Sequence, residues 1–482
     1  MSKPHQEDTP DSFINLNIWQ ALIPIIALVI MLAFNVLGVY KDDALGGSNQ
    51  FILLMSAAIA VILGVFKGVS YTSMMEEVAK NIKSTAGAIL ILLMVGALAG
   101  TWLLSGVIPV MVYYGLQILH PSIFLAACVI ICSLISISTG SSWTTSATVG
   151  IALNIPLGMT AGAILSGAYF GDKLSPMSDT TNLAPAMAGT DLFTHIRYMT
   201  LTTIPTIAIT ILVFLIIGFN LDTPSLTENP GILKDLKTSF YITPWLFIVP
   251  ILVIVMIVKK TPPLVALFVG TLLGAVAALI FQPDLVLLVA DSTQSGFKAF
   301  YKGLIDTITT DIAIPTDNAL LKDLFQSSGM KGMLNTIWLI ICAMVFGGVM
   351  EAIGALQTLS KALLNLFHTT FGLFASTVAS CLALNATASD QYLAIVIPGK
   401  MFAKAYKDKG LAPENLSRTL EDSGTVTSVL IPYNTCGAYH SNVLGVSVAD
   451  YFVYAIFNYL SPFMTLIFAA FNIKIRQLKN NL

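Results

Sequence analysis

The sequence predicts an all-α polytopic membrane protein: two inverted repeats with broken helices and re-entrant hairpins, in about 11–13 membrane segments. Three observations predict it. Of 482 residues, 56% are hydrophobic and only 10% are charged, where a soluble domain carries about 25% charged residues. Apolar windows long enough to cross a hydrocarbon core of about 30 Å recur from end to end. Short apolar pieces flanked by Gly, Pro, Ser, Thr and Asn lie between them, and irregular backbone at membrane depth must be buried in protein or line a cavity. A mean hydropathy of +0.81 leaves too little polar surface for a water-soluble fold. A formal net charge of −2 and a pI near 6.2 give neither a basic tract for nucleic acid nor an acidic tail.

The elements follow in order. Residues 1–17 (MSKPHQEDTPDSFINLN) lack the basic start and cleavage site of a signal peptide and read as a polar cytoplasmic tail. Apolar segments are expected at Trp19–Tyr40, Phe51–Phe66, Ala86–Leu104, Ile108–Leu119, Ile123–Ile137, Ala147–Phe170 and Met199–Phe219. A second set is expected at Trp245–Val258, Leu264–Phe281, Ile337–Ala355, Phe371–Leu384, Tyr392–Phe402 and Phe452–Phe471. The pieces near Ala147–Phe170 and Tyr392–Phe402 look like half-helices or hairpins, the geometry of transporters.

Four echoes in the same order divide the chain in two. MVGALAG (Met94–Gly100) returns as MVFGGVME (Met344–Glu351), and SISTGSSWTT (Ser136–Thr145) as LNATASDQYL (Leu384–Leu393). VFKGVSYTSM (Val65–Met74) and GTDLFTHIRYMTLTTIP (Gly189–Pro205) have looser counterparts at Gly296–Ile305 and Val448–Pro462. Residues 18–220 are then transmembrane repeat 1, 221–241 a linker, 242–472 repeat 2 and 473–482 a cytoplasmic tail. Lys and Arg concentrate on the cytoplasmic side if Lys67, Lys80, Lys83, Lys259 and Lys400 lie there with both termini, which places Lys298, the echo of Lys67, outside. The halves are thus expected to be inverted.

A charge at the bilayer centre costs at least about 2.5–3.5 kcal/mol, so ionisable residues within apolar runs mark function. GDKLSPMSDTTNLAP (Gly171–Pro185) offers Asp172 and Asp179 with the neutral oxygens of Ser178, Thr180, Thr181 and Asn182, while Gly171, Pro176 and Pro185 break the helix. Oxygen ligands and freed carbonyls are what a hard cation such as Na+ needs. A blander reading pairs Asp172 with Lys173 at a helix end and makes Asp179 a cap. LNATASDQYL adds Asn385, Thr387 and Asp390, and TLEDSGTVTSVLIPYNTCGAYH adds Asp422, Ser423, Thr427 and Asn434 around a break at Gly424. Glu421 reads equally well as a charge capping a helix near the cytoplasm. His195 and Arg197 read as interfacial side chains reaching water. The five cysteines lie in or beside apolar segments without a CxxC pair, as packed small hydrophobes do. No phosphate loop, H-E-x-x-H or G-x-S-x-G is present, so no catalytic site or cofactor is expected.

The run YFGDKLSPMSDTTNLAPAMAGTDLFTHIRYM, with ASDQYLAIVIPGKMF and LEDSGTVTSVLIPYNTCGAYH, resembles the signature of the NhaC-type sodium/proton antiporters. That resemblance spans the membrane region and implies a member of the ion-transporter superfamily, built from inverted repeats with hairpins. It also implies a cell inner-membrane location, with relatives that include malate/lactate exchangers and amino-acid carriers. Onto this sequence it carries Asp172, Ser178, Asp179, Thr180, Thr181 and Asn182 as one half of an ion site. Asn385, Thr387, Asp390, Asp422, Ser423, Thr427 and Asn434 form the other half, with Asp172, Asp179, Asp390 and Asp422 expected to meet Na+.

The expected activity is exchange of Na+ for H+ by alternating access through a buried carboxylate that holds one or the other. The alternative is a Na+- or H+-coupled carrier of a small organic acid or amino acid. Expected partners are Na+, H+, membrane lipid, that organic solute in the alternative, and a second copy in a homodimer; nucleic acid is not among them.

Overall fold

The computed structural model describes residues 16–35, 39, 47–118, 121–139, 142, 145–146, 157–176, 178–221, 230–259, 261–290, 296–316, 321–322, 325–365, 369–388 and 390–478. Residues 1–15 of the expected tail, much of the 138–150 polar run and part of the expected linker lie outside them, as does the Asp179 side chain.

Helices carry almost all of the described chain. Asn17 starts α1 (Ile18–Ala33) with a capping box closed by Gln20, which satisfies amide groups a lipid solvent cannot. After α2 (Ser48–Phe66), α3 (Tyr71–Leu104) runs 34 residues, about 51 Å at 1.5 Å per residue. Only its Thr85–Leu104 part has the composition of a span; the earlier turns carry Glu76, Glu77, Lys80 and Lys83, with Lys80 and Glu77 paired at 2.5 Å. The small residues of MVGALAG serve close approach: a Cβ at Gly96 would lie 2.3 Å from the Gly329 carbonyl oxygen.

α4 (Val107–Ile118), α5 (Pro121–Thr139), α6 (Leu157–Leu174), α7 (Asp179–Ala188) and α8 (Leu192–Asn220) complete the first part. Next come α9 (Pro230–Ser239), α10 (Ile248–Val258), α11 (Pro263–Phe281), α12 (Pro283–Ala290) and α13 (Phe297–Thr309). A two-stranded antiparallel ribbon, β1 (Ile312–Ala313) on β2 (Gln326–Ser327), pairs Ile312 with Ser327. Then follow α14 (Leu334–Ala352), α15 (Ala355–Asn365), α16 (Thr370–Thr387), α17 (Gln391–Asp408), α18 (Pro413–Leu420), α19 (Thr435–Leu444), α20 (Val448–Phe452) and α21 (Ile456–Ala470).

Six described helices are long and apolar enough to cross a membrane, and a bent pair at Leu233–Ser239 and Pro244–Met256 makes up to seven. The chain is a multi-pass helical membrane protein. Exposed Ile204, Ile209, Leu212, Ile216 and Phe219 line one side of α8, while Thr202, Thr206 and Thr210 are buried on the other. Such a helix shows lipid an apolar face and its neighbours a polar one.

The apolar cores are separate. One joins α1, α2, α14 and the start of α3, and another joins α4 and α9–α12 with the end of α3. A third lies among α5, α6, α8 and α19–α21, and a fourth among α7, α16, α17 and α18. Buried polar side chains gather where these last two meet.

Candidate functional site

Two interrupted helices build the site. α6 packs on α5 so closely that a Cβ on Gly171 would lie 2.5 Å from both the Ser133 carbonyl oxygen and the Ser136 Cβ. Gly171 therefore continues the helix against expectation, its missing side chain used for contact rather than for a break. The interruption falls at 175–178, where Ser178 caps α7, and Pro185 sits inside α7 without ending it.

The second interruption lies beyond Gly424. Gly424 lies in a π-turn, Glu421–Thr425, that extends α18, and helical turns persist to Leu430 before 431–434 separates them from α19. Widening the helix by one residue there re-aims Glu421 and Asp422, and such turns often mark functional sites. Hydroxyls bind back to their own helix: Thr427 Oγ1 donates to the Ser423 carbonyl at 2.5 Å and Ser428 Oγ to that of Thr425 at 2.6 Å.

Lys173 at the end of α6 finds its ion-pair partner far along the chain. Its ammonium pairs with Asp422, both side chains fully buried, and lies 5.3 Å over the Phe457 ring. The second oxygen of Asp422 accepts hydrogen bonds from Thr202 Oγ1 at 2.8 Å and from Thr465. Asp172 Oδ2 accepts from Ser142 Oγ at 3.0 Å, and the Asp172 carbonyl from Thr181 Oγ1 at 3.0 Å. Successive residues on a helix point in different directions, so the two charges serve different partners.

Glu421 is fully buried instead of capping a helix at the surface. One carboxylate oxygen accepts from Thr180 Oγ1 at 3.1 Å, and the other has no hydrogen-bond partner among the described residues. The charges of Lys173 and Asp172 reach it. Thr202 and Thr465 are the site residues that sequence reasoning passed over, and Glu421 is one it left undecided between a cap and a site charge. For Thr202 the available signal was the four-residue spacing of Thr202, Thr206 and Thr210.

A neutral scaffold stands beside the charges. Asn385 Nδ2 donates to the Gly424 carbonyl at 2.6 Å and to Thr427 Oγ1 at 3.0 Å, and Asn434 Nδ2 donates to the Asn385 carbonyl at 3.0 Å. Asn434 also caps α19 by accepting from Cys436 N–H. Ser423 Oγ turns back to the Thr419 carbonyl, and Thr387 Oγ1 is buried without a partner among the described residues. Asn182 is exposed and binds the Pro176 and Ser178 carbonyls at the first interruption. Asp390 Oδ1 caps α17 by accepting from the amides of Tyr392 at 2.8 Å and Leu393 at 3.1 Å. Among the described residues no three of His, Cys, Asp and Glu gather to hold a metal ion, so Asp172, Asp390 and Asp422 do not surround one point.

The tail packs against the start of α18 and against α8. Leu478 N–H donates to the Gly410 carbonyl at 2.7 Å and Ala412 N–H to the Arg476 carbonyl at 3.0 Å. Tyr198 O–H donates to Asn415 Oδ1 at 2.6 Å and the Lys474 carbonyl at 2.7 Å. The Tyr198 ring lies between two guanidinium groups, Arg418 at 4.6 Å and Arg476 at 4.9 Å.

This arrangement has relatives. The profile of the Na+/H+ antiporter family matches residues 167–473, the stretch that holds both interruptions. The chain belongs to that family. It is 35% identical over 423 residues to the Na+/H+ antiporter NhaC of Alkalihalophilus pseudofirmus, covering 86% of this chain and 88% of the relative. Likeness to the malate-2H+/Na+-lactate antiporter of Bacillus subtilis is 36% over 438 residues, 88% of each chain. The arginine/ornithine antiporter ArcD of Halobacterium salinarum is 30% identical over 460 residues, 93% of this chain and 90% of the relative.

Proposed function

We propose that the protein exchanges Na+ for H+ across the cytoplasmic membrane by alternating access, with Asp172 and Glu421 as the carboxylates that the two cations share. One observation carries the reading: Glu421 is fully buried with one carboxylate oxygen bare among the described residues, and Lys173, the ammonium whose charge reaches it, is paired with Asp422. Uncompensated buried charge costs several kcal/mol per ion. The ionised cluster therefore draws small cations, and a proton or a Na+ answers the same deficit. Lys173 holds Asp422, and the bare oxygen of Glu421 is open to the cargo, with Asp172 close enough for its charge to reach Glu421. The hydroxyls of Ser142 and Thr180, already on these carboxylates, are hard neutral oxygens that suit Na+. Both termini face the cytoplasm on this reading, as the Lys and Arg distribution favours.

A second reading adds a small organic anion or an amino acid to the cycle. Arg418 favours it: the guanidinium is fully buried, and none of its nitrogens has a hydrogen-bond partner among the described residues. Bidentate recognition of a carboxylate uses such a group.

Purified protein in proteoliposomes decides between the two. A Na+ gradient alone should drive counter-movement of protons, and Glu421→Gln and Asp172→Asn should each reduce it at least about tenfold. Unchanged flux in both variants would remove the shared-carboxylate reading. Proton movement that starts only when malate, lactate or arginine is added would establish the carrier in its place.

A further inference from the structure

His195 lies in the FTHIRYM segment that sequence reasoning assigned to a wet interface, yet its side chain is fully buried. Nδ1 is 2.8 Å from Ser417 Oγ on α18, and Nε2 has no hydrogen-bond partner among the described residues. An imidazole removed from water with one nitrogen bare is costly unless water, a ligand or a proton uses it.

Its placement suggests the use. Thr202, which donates to Asp422, lies seven residues further along α8, two turns away on the same helix face. Ser417 precedes Asp422 by five residues on the facing element, so the two segments run parallel with His195 about 10 Å behind the ion pair. The charges of both Asp422 and Lys173 reach the ring. On the other side stand Tyr198 and the tail that meets it. The charged residues on the elements packed around this face are Asp172 and Lys173 of α6, Asp179 of α7, Glu414, Arg418, Glu421 and Asp422 of α18 and its π-turn, and Lys474 and Arg476 of the tail. α5 and α21 carry no charged residue, and Arg197 on α8 itself is exposed.

We infer that His195 is a proton-relay residue of the exchange cycle, linking the tail-side surface of the protein to the carboxylate site. The step conserves charge and atoms. The imidazolium releases the proton on Nε2 through intervening water to an emptied carboxylate and returns neutral, and a hydronium from the tail-side solution restores it. Cation binding needs no such step, so His195 acts on the proton half of the cycle alone.

The inference rests on the Na+/H+ reading, and its test separates the two. His195→Asn keeps a donor near Ser417 in place of Nδ1, and His195→Gln places an amide nearer to Nε2; neither titrates. Each full-length variant is reconstituted beside the wild type and assayed for Na+/H+ exchange across pH and for 22Na+/Na+ self-exchange, which moves no proton. Expected is a loss of Na+/H+ exchange of at least about tenfold, with an altered pH profile and self-exchange within about twofold of wild type. Equal loss in both assays, or an unaltered pH profile in whichever variant folds, overturns the relay and assigns His195 to packing. A wild-type protein without Na+-driven proton movement sinks the underlying reading instead.

Discussion

Lys173→Met and Asp422→Leu test what the buried ion pair does. Each change removes one charge and leaves the other fully enclosed. In Lys173→Met the Asp422 carboxylate keeps, among the described residues, the hydroxyls of Thr202 and Thr465. In Asp422→Leu the ammonium keeps the face of Phe457, 5.3 Å away, and Thr465 loses its acceptor while Thr202 retains the Met199 carbonyl at 3.2 Å. Breaking a buried pair on one side costs about 3–5 kcal/mol, whereas replacing both members with apolar groups of similar volume is often neutral or stabilising. Thr465 left without a partner adds about 1–3 kcal/mol to Asp422→Leu and to the double variant alike. Both single variants should therefore lose at least about 3 kcal/mol. The double variant should lose less than the sum of the two by at least about 3 kcal/mol, and should transport nothing. Reversible unfolding in mixed detergent micelles, followed by tryptophan fluorescence, measures each arm. Costs that simply add, or a single variant within about 1 kcal/mol of wild type, would refute the claim that the pair is an enclosed and interdependent unit.

Three further outcomes follow from the geometry. Gly171→Val drives side-chain atoms into the α5 backbone and should cost about 1–3 kcal/mol, read as a lower unfolding midpoint with weakened exchange. Asp390→Asn keeps an N-cap and should leave exchange within about twofold, whereas Asp390→Ala should cost about 0.5–2 kcal/mol; loss of exchange in the asparagine variant would move Asp390 from cap to ion site. Tyr198→Phe removes both O–H bonds, to Asn415 and to the Lys474 carbonyl, and should speed proteolysis after Phe471 without changing Na+ affinity.

The membrane class was legible because composition reports solvent directly: a chain with 10% charged residues has to find an apolar surrounding. The polarity of Gly171–Pro185 and of the segment around Asp422 was legible for the complementary reason, since charge within an apolar run needs a partner. Which partner was not. Lys173 beside Asp172 invited a local pair, but adjacent helical residues diverge by about 100°, and the true partner lies 249 residues away. The break at Pro176 falls in the interruption at 175–178, but those at the glycines were misplaced for a related reason. Glycine signals a break in an isolated helix, whereas Gly171 admits the α5 backbone and Gly424 sits in a π-turn whose extra residue leaves no mark in the sequence. Glu421 stayed open between cap and site because an acidic residue near a helix start has a local explanation, and only tertiary burial removes it.

The long-range character of these contacts bears on mechanism. Lys173 to Asp422, Thr180 to Glu421, Thr202 to Asp422 and His195 to Ser417 all join the α6–α8 region to α18 and its π-turn, across 220–249 residues of chain. Any movement that slides one set past the other must break the ion pair and strand its charges, at a cost of several kcal/mol. Movement in which both sets travel together keeps the pair and changes only which solution Asp172 and Glu421 meet. The pair thus favours transport by displacement of α6–α8 and α18 as one body over rocking of one against the other. A reducible cross-link between cysteines introduced at Tyr198 on α8 and Asn415 on α18, whose side chains already touch, discriminates between these movements. Exchange that survives the cross-link supports the single body, and exchange abolished by it and restored by reduction supports relative sliding.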